Sequence, residues 1–84
     1  MKTPTGWTIE NNHLTTIIKL NNFKEAIGMI NKIALIAEEI NHHPDIELFS
    51  YNNLKIKLTT HQAGNKITQK DLLVAERINK IIKN

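Results

Sequence analysis

An α+β domain is predicted: a four-stranded antiparallel sheet with helices packed on one face, in the order ββαββα. Three observations carry that prediction. Apolar residues alternate with period two in short stretches and recur at helical spacing in two longer ones, and the strand-like stretches come in adjacent pairs joined by asparagine-containing turns. Adjacent strands with short turns pair antiparallel, and two amphipathic helices must then cover one face of the sheet. The other face, carrying Lys55 and Lys57, is expected to stay polar or to meet a partner subunit.

Residues 1–6 read as a loose leader, with Pro4 and Gly6 as breakers. Trp7-Thr8-Ile9-Glu10 is a short strand, Asn11-Asn12 a turn, and Leu14, Thr16, Ile18 and Leu20 mark a second strand whose alternation Ile17 interrupts. Asn21-Asn22 offers helix N-caps, and Glu25 completes a capping-box spacing. The helix spans 23–41, with Phe23, Ile27, Ile30, Ala34 and Ala37 on one stripe and Ile33, Ile36 and Ile40 widening it. Pro44 is expected to fix its end. A third strand holds Ile46 and Leu48 and extends toward Phe49-Ser50-Tyr51, with Asn52-Asn53 as the turn. The fourth places Leu54, Ile56 and Leu58 on one face and Lys55, Lys57 and Thr59 on the other; by the same parity His61 continues the polar face. After the loop at Gly64, Thr68 and Asp71 have capping-box spacing for a second helix to about residue 83, with Leu72, Ala75, Ile78 and Ile82 as its apolar stripe.

Eighty-four residues make one domain, 1–84. A chain of this size buries only about 60% of its unfolded surface, so self-association would help it. It has no cysteine, which excludes disulfides and thiolate zinc sites. No apolar run has the length of a membrane span, and the N-terminus lacks a signal-peptide core, so no membrane contact and a cytoplasmic location are expected. The net charge of +3 comes from basic residues spread without a run and with few aromatics among them, which argues against direct nucleic-acid binding.

The chemistry concentrates in the histidines. His42 and His43 stand together before Pro44, and His61 ends the fourth strand-like stretch. A free imidazole has a pKa of about 6.5, so near neutral pH it gives or takes a proton at little cost. Rings around one pocket could protonate a leaving hydroxyl and remove a neighbouring proton, a dehydration that needs no metal. Glu38, four residues before His42, would share its face on a continuing helix and could orient the ring. Two other readings stand beside this one. Three histidines could form a zinc site, although adjacent side chains diverge and the HExxH spacing is absent. A His-His pair at a helix end can also be a surface feature favoured by the helix dipole. His13, in the first turn, reads as incidental.

Glu38, three residues, His42-His43-Pro44, a spacer, Tyr51, nine residues, His61 and then Asp71 make a pattern that resembles the pterin-4a-carbinolamine dehydratase family, also known as the dimerisation cofactor of a homeodomain transcription factor. Gly6-Trp7, Phe23 and the segments around both histidine sites fit as well, so the resemblance covers nearly the whole chain. The spacer to Tyr51 is one residue longer than in many members, Asn41 and Gln62 stand where acidic residues are common, and Asn65 replaces the second glycine of an Ala-Gly-Gly loop. The resemblance implies dehydration of 4a-hydroxytetrahydrobiopterin to quinonoid dihydrobiopterin and water, in tetrahydrobiopterin recycling, with no metal and no cofactor. It implies catalytic roles for His42, His43 and His61, with His42 and His61 nearest the reacting atoms. Glu38, Pro44, Trp7 and Asp71 are then substrate-binding or supporting candidates. Trp7 could stack on a flat pterin or belong to the core, and Asp71 has a full structural explanation as a cap. A homodimer or homotetramer is implied, and the alternative function is a non-catalytic binding or coactivator-type oligomerisation module.

Overall fold

The computed structural model describes residues 2–82. Asn11 and Asn12 both take the left-handed backbone conformation, at φ 50° and 62°, which makes a tight two-residue turn between β1 (Thr8–Glu10) and β2 (His13–Lys19). The helix α1 (Phe23–Ile40) then leads to a second hairpin, β3 (Asp45–Phe49) and β4 (Asn53–Leu58), and α2 (Gln69–Ile82) closes the described chain. The strands lie in the order β1-β2-β4-β3, every neighbouring pair antiparallel, as the paired-strand pattern predicts.

Register decides which residues face the helices. Leu14 lies opposite Leu58, Thr16 opposite Ile56 and Ile18 opposite Leu54, so β2 and β4 present one apolar face, which Ile46 and Leu48 of β3 extend. Leu14, Ile56 and Leu58 are fully buried against Ile33 and Ile36 of α1 and Val74, Ala75 and Ile78 of α2. Ile17 pairs with Lys55 on the helix-free face, which accounts for the break in alternation that it causes.

Two boundaries differ from expectation, each for a local reason. Ser50 and Tyr51 do not extend β3; both adopt positive φ, 48° and 57°, and turn the chain before Asn52. Asn52 is buried instead, its amide donating to Leu20 O at 3.0 Å and its carbonyl accepting from Leu20 N–H at 2.8 Å. The first helix is ended by Asn41, not by Pro44. At φ 58° Asn41 turns left-handed, and both its N–H and that of His42 close on Ala37 O.

The buried stripe of α1 also differs. Ala26, Ile33, Ile36 and Ala37 are buried, whereas Phe23, Ile27, Ala34 and Leu35 are exposed, Leu35 at 73%. At 100° per residue, the line through Phe23, Ile27, Ile30 and Ala34 lies about a quarter-turn from the buried one. Nearly every side of this helix carries an isoleucine or leucine, so periodicity alone could not select the inward face. On α2, Val74 is a core residue that the stripe omitted, and Ile82 is partly exposed.

Candidate active site

The left-handed turn at Asn41 sends the chain off the end of α1, so His42 does not continue the helix. Its ring turns inward to 8% exposure, and Nε2–H donates to Asp71 Oδ1 at 2.6 Å. Asp71 is fully buried. It sits in the first turn of α2, where the exposed N–H groups and the helix dipole favour a carboxylate. Its other oxygen, Oδ2, accepts the Thr68 N–H at 2.8 Å, the capping-box bond predicted from spacing, and the Thr60 hydroxyl at 2.7 Å. Thr60 Oγ1 lies 2.7 Å from Thr68 Oγ1; with the Thr60 proton given to Asp71, the Thr68 hydroxyl donates to Thr60. One carboxylate therefore caps a helix, ties down the end of β4 and fixes a histidine from 29 positions away.

His43 is directed to the surface, where Nε2 pairs with Glu38 Oε2. This corrects the expectation that Glu38 would serve His42: that pairing needed a continuing helix, and the turn at Asn41 moves the next ring into its place. His61 opens a 3₁₀ turn, His61–Ala63, rather than prolonging β4, and its ring is exposed. Its Nδ1 lies 2.7 Å from Asn65 Oδ1. All three histidines thus occupy the junctions where α1 ends, β4 ends and α2 begins. The Thr60–Asp71–His42 chain links those junctions, with His61 next to Thr60 and His43 next to His42.

The remaining candidates divide. Pro44 is half-buried and follows the histidines out of the helix. Trp7 belongs to the hydrophobic core at 5% exposure, and its indole N–H donates to Asn79 Oδ1 at 2.9 Å. Asn79 lies eight residues beyond Asp71 on α2, about 12 Å along the helix, so Trp7 packs the far end and offers no stacking face at the histidines. His13, the first residue of β2, donates to Asn11 O and has no part in the cluster. Among the described residues no three His, Asp or Glu side chains converge into a metal-holding group.

Two polar members went unread in the sequence. Thr60 continues the parity of Leu54, Ile56 and Leu58, so a hydroxyl was due on the core face one residue before His61, and such a hydroxyl needs a partner. Asn65, at φ 60°, occupies a position suited to a turn residue, and nothing local announces that its side chain reaches His61.

Comparison with known proteins agrees with this fold. The family described as pterin 4 alpha carbinolamine dehydratase matches residues 1–81. A protein of Trichormus variabilis, provisionally named a pterin-4-alpha-carbinolamine dehydratase, is 51% identical over 76 residues, covering 90% of this chain and 80% of its own length. One from Sulfolobus acidocaldarius with the same provisional name is 43% identical over 76 residues, covering 90% and 81%. Among solved structures, a transcriptional coactivator/pterin dehydratase from Brucella melitensis superposes with a TM-score of 0.83 at 32% identity, over 92% of this chain and 82% of that one. A pterin dehydratase-like RuBisCO assembly factor of the alpha-carboxysome shares the fold, with a TM-score of 0.73 at 16% identity over 94% and 92%.

Proposed function

The chain belongs to the pterin 4 alpha carbinolamine dehydratase family, and we propose that it dehydrates 4a-hydroxytetrahydrobiopterin to quinonoid dihydrobiopterin and water by histidine acid–base catalysis. The observation that carries this reading is the His42–Asp71 pair: a histidine whose one nitrogen is committed to a buried carboxylate. Such a ring is fixed in orientation and presents its other nitrogen, Nδ1, to the reacting molecule.

The reaction needs two proton transfers. Hydroxide leaves C4a more readily when it is protonated, and N5 must lose a proton as the C4a–N5 double bond forms. We assign His42 as the group that protonates the leaving hydroxyl, because the anionic partner at Nε2 complements the cationic ring that a donor must be. His61, exposed and one residue from the Asp71 network, takes the N5 proton. His43, paired with Glu38, holds the pterin beside them. The test is the dehydration rate followed by ultraviolet absorbance, against buffer alone and with a chelator in parallel. Acceleration that the chelator leaves intact is expected. A rate no faster than buffer would remove the enzyme reading and leave a binding or assembly role.

Self-association is the second expectation. Phe23, Ile27 and Leu35 leave apolar surface along α1, and Leu73 adds to it on α2. An apolar surface on so small a domain is stabilised by covering it with a second copy. Light scattering at micromolar concentration should find a dimer or tetramer, and Leu35→Lys should shift that equilibrium toward monomer. A monomeric wild type would contradict the expectation.

A further inference from the structure

We propose that Asn65 is a positioning residue that sets which nitrogen of His61 carries the proton. The observation is the 2.7 Å approach of Asn65 Oδ1 to His61 Nδ1. An amide oxygen can only accept, so Nδ1 must be the protonated nitrogen, and the neutral ring then holds its lone pair on Nε2. In water a free histidine side chain prefers the opposite form, with the proton on Nε2. The bond from Asn65 therefore reverses the intrinsic preference and turns the basic nitrogen away from the loop.

The backbone holds Asn65 where it can do this. Thr60 and Lys66 form a bridge that closes the loop, with Thr60 N–H donating to Lys66 O at 2.9 Å. Ala63 and Asn65 both donate their N–H groups to Thr60 O, at 3.2 and 3.1 Å, and Gly64 donates to His61 O at 3.0 Å. None of these bonds uses a side chain, so the loop should keep its shape when the Asn65 amide is removed. Asn65 also sits at φ 60°, a conformation that glycine adopts more readily than asparagine. A residue kept there only for the turn would be improved by glycine; the side chain supplies what glycine cannot. On the dehydratase reading, on which this role rests, a lone pair fixed on Nε2 makes His61 a standing proton acceptor for N5.

Asn65→Gly and Asn65→Asp separate positioning from structure. Glycine deletes the acceptor while easing the backbone; aspartate, the same shape, restores an acceptor at Nδ1. The tautomer is read from the ¹⁵N shifts of His61 in histidine-labelled protein at alkaline pH, with His61→Ala providing the assignment. Wild type and Asn65→Asp should show a protonated Nδ1 and a bare Nε2, and Asn65→Gly should move toward the Nε2–H form without a lower melting temperature. The kcat for the carbinolamine should fall about three- to tenfold in Asn65→Gly with KM little changed, the population bias that one exposed hydrogen bond can hold, and recover in Asn65→Asp. A wild-type ring protonated on Nε2, as an amide donating through Nδ2 would produce, overturns the proposal. So does a tautomer that glycine leaves unchanged. Because the shifts need no substrate, a wild type without dehydratase activity would count against the proposed function and leave the role of Asn65 to be decided by the spectra.

Discussion

Asp71→Asn should destabilise the fold by about 3 kcal/mol, the scale expected when one partner of a buried charged pair is removed. The carboxylate is fully buried and takes three donors: Nε2–H of His42, the Thr68 N–H and the Thr60 hydroxyl. An amide has one oxygen to offer in their place. If that oxygen stays with Thr60 and Thr68, the amide NH₂ faces the Nε2–H of His42, and two donors confront one another unless the ring moves its proton to Nδ1. If the oxygen turns to His42 instead, the N-terminus of α2 and the Thr60 hydroxyl lose their acceptor, each unsatisfied donor costing about 1–3 kcal/mol. Neither orientation is neutral. For a domain of this size the loss corresponds to a fall in melting temperature on the order of 10–20 °C. A urea titration beside the melting curve measures it, and a change below about 0.5 kcal/mol, the level of an ordinary surface substitution, would show that the carboxylate is not held as described. The dehydration rate should fall as well, even where the variant is fully folded, since a neutral amide no longer places an anion beside the cationic ring that is proposed to protonate the leaving hydroxyl. Thr60→Val provides a milder version: it removes one donor and leaves Asp71 its other two.

Those same contacts explain how far the sequence could be read. The sheet order and the hairpins follow from period-two alternation and asparagine turns, because those signals are local, and Asn11-Asn12 behaves as a turn for a reason intrinsic to asparagine. The spacing of Thr68 and Asp71 correctly gives the helix cap, since the capping oxygen and its N–H lie within one turn. What the spacing could not give is the use of the other carboxylate oxygen, because His42 is remote in sequence and meets Asp71 only once α1 and α2 are packed on the sheet. Glu38 shows the converse failure. Its distance from His42 is right for a helix, yet a single left-handed residue at Asn41 moves the contact to His43. Pro44 forbids helix only at the residue before it, so it set a limit on where α1 could end without locating that end. The inward face of α1 was ambiguous because the helix is apolar on more sides than one domain can bury, and that excess is the surface on which self-association is expected.

Removing His61 and removing His42 should have different consequences, although both are proposed to act on the same reaction. His61 is exposed and, among the described residues, its ring bonds only Asn65 in its own loop, so His61→Ala should change stability by no more than about 0.5 kcal/mol. His42→Ala empties a buried position and leaves the Asp71 carboxylate without its cation-capable neighbour, at a cost on the order of 3–5 kcal/mol. In rate, a positioned proton-transfer group commonly supplies about 10²–10⁴-fold. The effect should be smaller here, about tenfold to a few hundredfold for either ring, because a carbinolamine expels water unaided when the nitrogen lone pair assists. That background sets the floor: the double variant should approach the buffer rate, not multiply the two single losses. His42→Gln retains a side-chain donor for Asp71 and should recover part of the lost stability without recovering the rate. The decisive comparison is therefore His61→Ala at full stability against wild type, measured on the carbinolamine by absorbance. Unchanged turnover there would take His61 out of the reaction and leave His42 and His43 to carry both proton transfers, which would require the pterin to lie against the end of α1 alone.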